Sequence, residues 1–222
     1  MNLFDIVYEN ERSGLTDCVI GKVTDDNRLV EKGDVFVAIA GRNFDGHDFC
    51  ADMLEKGASA VVTERDLGLS QQIIVKNSRE YFSILASRYY GNPTKKLKLI
   101  AATGTNGKTS VTYMLKSALE KAGYKVGLIG TIHNLIGDRV LPARHTTPDP
   151  YQLHCLLAQM VREGCAYVVM EVSSHALTLH RVGGVHFDVA AFTNLTEDHL
   201  DFHKTMDAYC DAKAALFARC GK

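Results

Sequence analysis

A loop of glycines, hydroxyl residues and one lysine is the part of this sequence best suited to chemistry. Residues 103–110 are Thr-Gly-Thr-Asn-Gly-Lys-Thr-Ser; they follow the apolar stretch 97–102 and precede the amphipathic stretch 111–122. A strand, a tight turn and a helix in this order expose backbone N–H groups at a positive helix end, where an anion binds. Lys108 could reach the outer phosphates of a nucleotide, and Thr109 could offer its hydroxyl to Mg²⁺. The pattern therefore predicts a phosphate-binding loop rather than an ordinary glycine turn.

A second apolar stretch, 166–170, ends in one acid, Glu171. A carboxylate at the end of a parallel strand lies at the carboxyl edge of the sheet, beside a phosphate loop, where it could hold Mg²⁺. The alternative is an acid that only caps a helix. Ser173 and Arg181 follow, and a small hydroxyl with a guanidinium suits the recognition of a carboxylate.

A histidine lies in the acidic segment 194–201, which follows the apolar stretch 189–192. His199 could supply a neutral nitrogen ligand to a divalent ion. A single histidine in such a loop could equally be structural or solvated, and its position leaves both interpretations open.

The last predicted helix, 205–218, carries a lysine on its apolar stripe. The stripe repeats at steps of three and four residues and consists of Met206, Tyr209, Cys210, Lys213, Leu216 and Phe217. Burial of an unpaired charge costs free energy, so an amine at this position needs a compensating interaction or a route to water. Its stem could extend along the surface with the amine in water. Alternatively, a carbamate on Lys213 would be an acidic, metal-binding group facing the site.

Composition narrows the class of protein. Lys and Arg total 25 against 26 Asp and Glu, a net charge of −1, which argues against a surface that coats nucleic acid. No stretch approaches the ~20 apolar residues of a membrane span, and the N-terminus lacks the pattern of a secretion signal, so we expect a cytoplasmic protein. The six cysteines are far apart with no C-x-x-C pair, which predicts reduced thiols.

Strand and helix patterns alternate along the chain and predict an α/β fold in two domains. A Gly-Asn-Pro break at 91–93 places the boundary, giving domains 1–93 and 94–222. Alternation of this kind implies largely parallel sheets with ligands at the carboxyl ends of the strands. Predicted strands are 35–39, 60–63, 73–75, 97–102, 125–129, 166–170 and 189–192, and predicted helices are 48–56, 79–90, 111–122, 150–163 and 205–218.

Several long motifs together resemble those of one enzyme family, the Mur ligases. They are Gly-Thr-Asn-Gly-Lys-Thr-Ser at 104–110, His-Thr-Thr-Pro-Asp-Pro at 145–150, Glu-Val-Ser-Ser-His-Ala-Leu at 171–177 with Arg181, and Asn-Leu-Thr-Glu-Asp-His-Leu-Asp at 194–201. Segments 26–28, 32–36 and 41–47 are similar to that family's UDP-binding first domain. The resemblance covers the whole chain and implies a UDP-binding α/β domain followed by part of a parallel-sheet ATPase domain.

The resemblance implies ATP and Mg²⁺ as cofactors and assigns roles to the loop and its surroundings. The ATP-binding residues would be Gly104, Thr105, Asn106, Gly107, Lys108, Thr109, Ser110 and Asn194. The Mg²⁺ ligands would be Thr109, Glu171 and His199. Lys213 matches a lysine that is carbamylated in this family, and with Lys108 it would take part in catalysis.

The implied substrate is a UDP-N-acetylmuramoyl dipeptide. Its peptide end would be bound by His145, Thr146, Thr147, Ser173 and Arg181, and its nucleotide end by Asn27, Arg42, Asn43 and Phe44. ATP would phosphorylate the terminal carboxylate, and the amine of a free amino acid would displace phosphate to leave an amide and ADP. Within the family the motifs resemble the members that add the third amino acid of the peptidoglycan precursor, with meso-diaminopimelate preferred over L-lysine. The resemblance also implies a monomer.

Other interpretations remain at this stage. The family has a further C-terminal domain that binds the amino acid, and the resemblance implies that it is absent here, so this chain could be an inactive nucleotide-binding fragment. Folylpolyglutamate synthetases have a similar loop, but they insert a glycine between the lysine and the hydroxyl residue. The Mur ligase that adds a dipeptide has a loop resembling Gly-Ser-Ser-Gly-Lys-Thr.

Overall fold

The computed structural model of the chain describes residues 1–41 and 43–221. The chain divides into two units, Met1–Gly91 (unit 1) and Asn92–Lys222 (unit 2), each with its own sheet. Arg42, which the sequence places at the nucleotide end of the substrate, lies outside the described residues.

Unit 1 is built on a parallel sheet of four strands in the order β1-β2-β3-β4. The two central strands consist of β-branched and other apolar residues and are buried along their whole length, as expected where helices cover a parallel sheet. The strands are β1 (Val23–Thr24), β2 (Val35–Val37), β3 (Ala60–Thr63) and β4 (Gln72–Ile74), and the helices are α1 (Leu3–Ile6), α2 (Cys50–Glu55) and α3 (Ser78–Tyr89).

Unit 2 contains a six-stranded sheet in the order β10-β5-β9-β6-β7-β8. The first four strands in this order are parallel, and β7 and β8 form an antiparallel hairpin at the edge. The strands are β5 (Lys98–Thr103), β6 (Val126–Ile129), β7 (Asn134–Ile136), β8 (Arg139–Leu141), β9 (Tyr167–Glu171) and β10 (Val189–Phe192), and the helices are α4 (Lys108–Lys121), α5 (Pro150–Arg162), α6 (Ser174–Thr178), α7 (Leu200–His203) and α8 (Met206–Ala214).

The parallel strands of unit 2 bring four chain segments to one edge of the sheet. Because β5, β6, β9 and β10 run in the same direction, the loops at their carboxyl ends meet there. A buried apolar layer that includes Leu99, Leu157 and Val168 holds the sheet against α5. The loop at 104–107, the turn at 130–131, the end of β9 and the segment 193–196 therefore share one edge.

The elements predicted from the sequence are present, with shifts at their ends. Two strands, 60–63 and 189–192, have the predicted bounds. The strand predicted over 35–39 ends at Val37, and the helix predicted over 205–218 ends at Ala214 and is followed by a separate 3₁₀ turn, Phe217–Arg219. The hairpin of β7 and β8 was not predicted, because its strands are three residues long and alternate poorly.

The described residues contain no helix that is both long and apolar enough to cross a membrane. All six cysteines are free, in agreement with their spacing in the sequence.

Candidate functional site

The loop between β5 and α4 adopts backbone conformations that its glycines make possible. Gly104 has φ 143° and Gly107, the residue before α4, has φ 82°, both in the region that favours glycine. A Cβ on Gly104 would lie 2.0 Å from Thr193 Oγ1. These two positions therefore need glycine for the loop to close against its neighbour and for α4 to begin at Lys108.

The segment after β10 holds the loop in place. Asn194 accepts hydrogen bonds from Thr105 N at its backbone oxygen (2.9 Å) and from Asn106 N at Oδ1 (3.0 Å), and its Nδ2 donates to Asn106 O (3.1 Å). Thr193 Oγ1 also donates to Asn106 O, at 2.6 Å. The side chain of Asn194, predicted as a nucleotide contact, thus fixes the backbone of the loop.

Two lysines converge on one backbone oxygen of this loop. Lys108 Nζ and Lys213 Nζ each donate to Gly104 O at 2.8 Å, and Lys108 also donates to Thr105 O at 2.7 Å. Lys213 is 1% exposed, and its Nζ lies 4.3 Å from the ring centre of Tyr209, which is also buried. The apolar stripe of α8 therefore buries the Lys213 amine, and the side chain does not extend along the surface to water.

Burial changes the acidity of both amines. Desolvation, and next the positive charge of Lys108, lower the pKa of Lys213 to about 8. Desolvation also lowers the pKa of Lys108. Two ammonium groups that share one carbonyl oxygen favour an anion between them or the loss of a proton. The arrangement can thus bind phosphate or supply a neutral amine.

Glu171 is a buried carboxylate whose partners are neutral. It is 1% exposed, and it accepts hydrogen bonds from Thr109 Oγ1 at both oxygens and from Thr131 N and Oγ1, all at 3.0 Å. None of the ion pairs between described residues involves it. A buried carboxylate is normally paired with a cation, so the residues present fit a divalent ion held by Glu171 and Thr109.

His199 lies in a cluster of aromatic rings that includes Tyr209. Its ring centre is 4.8 Å from that of His175 and 6.1 Å from that of Tyr209, and its Nδ1 is 3.4 Å from Asp198 Oδ1. Its φ of 52° is uncommon for a residue other than glycine. Within the described part of the chain no three His, Cys, Asp or Glu residues form a group able to hold a metal ion. A cation at Glu171 would therefore need ligands from hydroxyls, water or phosphate as well.

Four of the five residues predicted to bind the peptide end lie around the end of β9. Thr147 is 1% exposed; its hydroxyl donates to Glu171 O at 3.0 Å and accepts from Ser173 N at 3.1 Å. Ser173 Oγ accepts from Ala176 N and caps α6, and Arg181 donates to Thr147 O at 3.1 Å. Thr147 is thus engaged in holding the backbone, whereas Thr146, whose Oγ1 lies 3.0 Å from Thr131 Oγ1, is only partly buried.

His145 lies apart from this group. It is exposed and lines a cavity of about 390 Å³ between the β7–β8 hairpin and the first turns of α5. Asn134 lines the same cavity from β7.

In unit 1 two of the residues predicted at the nucleotide end line a cavity of about 600 Å³, Asn27 and Phe44. The Phe44 ring is 64% exposed and packs edge-on against Phe49 at 6.4 Å between ring centres. Asn43 is exposed as well. An exposed aromatic face beside an amide suits a planar heterocycle.

The sequence did not point to three residues of the site in unit 2. Thr131 holds Glu171, Tyr209 Oη lies 3.2 Å from Thr105 Oγ1, and Thr193 donates to the loop. Thr131 and Thr193 both come just after a strand, so position at a strand end was the signal that could have identified them.

Fold and site together define an α/β protein with a glycine-containing loop between β5 and α4 at the carboxyl edge of a parallel sheet. Residues 102–222 match the model of the Mur ligase middle domain, and residues 20–90 match that of the Mur ligase family catalytic domain. The chain belongs to the Mur ligase family.

Curated relatives agree with this membership. The chain is 46% identical to the UDP-N-acetylmuramoyl-L-alanyl-D-glutamate–2,6-diaminopimelate ligase of Clostridium perfringens, over 97% of this chain and 44% of that protein. It is 48% identical to the ligase of the same name from Caldanaerobacter subterraneus, over 100% of this chain and 47% of that protein. The chain thus spans about half the length of these relatives.

Solved structures share the fold. A structure of UDP-N-acetylmuramoyl-L-alanyl-D-glutamate–2,6-diaminopimelate ligase aligns with a TM-score of 0.76 at 30% identity and covers 90% of this chain and 41% of that one. The MurF ligase of Thermotoga maritima in complex with ADP aligns with a TM-score of 0.59 at 25% identity, over 91% of this chain and 44% of that one.

The lowered pKa of Lys213 predicts a stability that depends on pH. The pKa of about 8 in the folded state is below the ordinary 10.5, so the unfolded chain binds the proton more tightly and folding becomes more favourable as pH rises between these values. In urea unfolding without carbon dioxide, the free energy of unfolding of wild type should increase relative to that of Lys213→Met by about 2 kcal/mol between about pH 7.5 and 9.5.

The matched control is Lys121→Met, which removes an exposed lysine of α4 and should show no such change. A constant difference between wild type and Lys213→Met across this range would mean that the buried amine keeps its ordinary pKa.

Proposed function

We propose that this chain serves in an ATP-dependent, ADP-forming ligase that joins meso-diaminopimelate to UDP-N-acetylmuramoyl-L-alanyl-D-glutamate in the cytoplasm. The observation that carries the proposal is the identity of 46–48%, over nearly the whole chain, to relatives named as ligases for these compounds. Those names favour a ligase over an inert nucleotide-binding fragment. The direct Lys108-Thr109 junction argues against the folylpolyglutamate alternative.

The two units support different parts of this function. Domain 1–93 would bind the nucleotide end of the precursor, with Phe44 against the base and Asn27 at its edge, in the 600 Å³ cavity. Domain 94–222 would bind ATP on the loop that begins at Gly104. The ADP in the related MurF structure supports this choice of nucleotide.

The chemistry begins with transfer of a phosphoryl group. An oxygen of the terminal dipeptide carboxylate attacks the outer phosphorus of ATP, the bond to ADP breaks, and an acyl phosphate forms. Lys108 and the N–H groups of the loop would stabilise the charge on the transferred group. Ser173 and Arg181 would orient the carboxylate, supported by the backbone that Thr147 holds.

The second step forms the amide. The free amine of the amino acid attacks the acyl carbon, phosphate leaves with the electrons of the C–O bond, and a proton is lost from nitrogen. Glu171, Thr109 and His199 would hold Mg²⁺, which when bound neutralises phosphate charge. In each of these steps the protein acts mainly by positioning the reacting groups, and less by acid–base catalysis.

Lys213 would carry a carbamate in the working enzyme. Carbon dioxide adds only to a neutral amine, and the burial that lowers the pKa of Lys213 to about 8 makes this form accessible near neutral pH. The ammonium first loses one proton, the nitrogen lone pair of the amine then bonds to the carbon of carbon dioxide, and a second proton leaves the nitrogen. The carbamate thus replaces a positive charge by a negative one and removes the repulsion between Lys213 and Lys108. A carbamate oxygen could then face a metal ion.

Loss of Lys108 should weaken nucleotide binding selectively. Wild-type chain should bind ATP with Mg²⁺, and also the UDP-linked dipeptide, in isothermal titration calorimetry. Lys108→Ala should lower ATP affinity at least about tenfold, because it removes a charge that contacts the outer phosphates, and leave affinity for the dipeptide within about twofold. Lys121→Ala on the same helix is the control and should bind both ligands like wild type. Equal ATP affinity in Lys108→Ala would contradict the assigned loop, and failure of wild type to bind the dipeptide would contradict the proposed substrate.

The carbamate can be observed directly. Chain equilibrated with carbon-13 bicarbonate should give a carbamate signal in the carbon NMR spectrum that increases as pH rises towards 8 and that Lys213→Met lacks. Lys121→Met, which removes an exposed lysine of α4, should retain it. A spectrum of wild type identical to that of Lys213→Met would show that Lys213 is unmodified.

A further inference from the structure

Thr131, two residues after the end of β6, connects Glu171 to Thr146. Its backbone N donates to Glu171 Oε1 and its Oγ1 to Glu171 Oε2, both at 3.0 Å. The same Oγ1 is 3.0 Å from Thr146 Oγ1. One hydroxyl thus joins the carboxylate proposed to hold a metal to a threonine that the sequence predicts at the peptide end of the substrate.

An ionised Glu171 fixes the direction of the hydrogen bonds that link Glu171, Thr131 and Thr146. A threonine hydroxyl has one proton and two lone pairs, and an ionised carboxylate only accepts. If Thr131 donated to Thr146, its lone pairs would face the negative carboxylate at 3.0 Å. The proton of Thr131 therefore goes to Glu171, and Thr146 donates to Thr131. In this state Thr146 can offer a ligand only its lone pairs.

The neighbouring residue shows that this turn is built around Glu171. A Cβ on Gly130 would lie 2.4 Å from Glu171 Oε1. Its φ is outside the left-handed region, so a larger residue here would not strain the backbone but would displace the Glu171 carboxylate. The turn 130–131 lets the carboxylate approach the backbone and then supplies two donors to it.

We infer that Thr131 is a positioning residue that couples the Glu171 carboxylate to the hydroxyl of Thr146. The inference rests on the proposed function, because that function places Glu171 at the metal and nucleotide and the sequence prediction places Thr146 at the peptide end of the precursor. Neither the motifs nor the family match identifies Thr131.

The coupling has a physical direction. When Glu171 shares its lone pairs with a cation, it becomes a weaker acceptor for the Thr131 hydroxyl. Thr131 can then rotate and donate to Thr146, which frees the proton of Thr146 for a carboxylate of the substrate. Binding of metal–nucleotide should therefore convert Thr146 from an acceptor into a donor and tighten binding of the carboxylate.

The test measures how each ligand changes the affinity for the other. With calorimetry on the whole 222-residue chain, a non-hydrolysable ATP analogue with Mg²⁺ should raise affinity for UDP-N-acetylmuramoyl-L-alanyl-D-glutamate at least about fivefold in wild type. Thr131→Val, which replaces only the hydroxyl by a methyl, should reduce that factor below about twofold. Thr131→Ser, which keeps the hydroxyl, should restore it. An unchanged factor in Thr131→Val, or no coupling in a wild type that binds both ligands, would overturn the inference.

A second measurement needs no ligand and separates this inference from the proposed function. We expect the shift in the thermal unfolding midpoint of the double variant to differ by about 2 °C from the sum of the shifts of Thr131→Val and Thr146→Val. The shifts are not additive because both substitutions break the same series of hydrogen bonds. As a control, the midpoint shifts of Thr131→Val and of Thr205→Val, which removes the cap of α8, should add in the variant that carries both. If wild type binds neither ligand, the proposed function fails and this cycle alone decides the link: additive shifts for the first pair would refute it.

Discussion

The carboxylate of Glu171 is buried, and the hydrogen bonds that it accepts from described residues all come from neutral donors at the carboxyl edge of the unit 2 sheet. Along the same sheet edge, Lys108 and Lys213 share the carbonyl of Gly104. The protein therefore places a carboxylate that has no ion-pair partner among the described residues at the end of β9, and two lysine amines at the end of β5. A cation bound to phosphates is complementary to both, and burial makes each interaction stronger than it would be in water.

Much of the fold follows from local patterns in the sequence. The strands at 60–63 and 189–192 were predicted to the residue, because each is a short apolar run with a polar residue directly on both sides or at its end. The β7–β8 hairpin was missed, since three-residue strands at a sheet edge carry too few buried positions to form a pattern. The helix α8 ends at Ala214, although the apolar spacing continues through Phe217, which lies in the following 3₁₀ turn.

The candidate site was predicted where a residue type has a specific chemistry at a strand end. Glu171 and Lys108 could be found in this way, and Lys213 was suspected because an amine on an apolar stripe is costly. Thr131 could not be found, because a lone threonine after a strand has many uses and its role depends on contacts with residues 15 and 40 positions away. The engagement of Asn194 with the loop backbone is likewise a tertiary contact that no local pattern encodes.

The central claim is that Glu171 is complementary to a cation that accompanies nucleotide, and Glu171→Gln tests it most directly. This variant keeps the shape of the side chain and removes the charge. Calorimetric titration of ATP with and without Mg²⁺ should show that Mg²⁺ strengthens binding to wild type at least about tenfold, whereas Glu171→Gln should bind ATP with an affinity that hardly depends on Mg²⁺. An equal Mg²⁺ dependence in the two proteins would contradict the account.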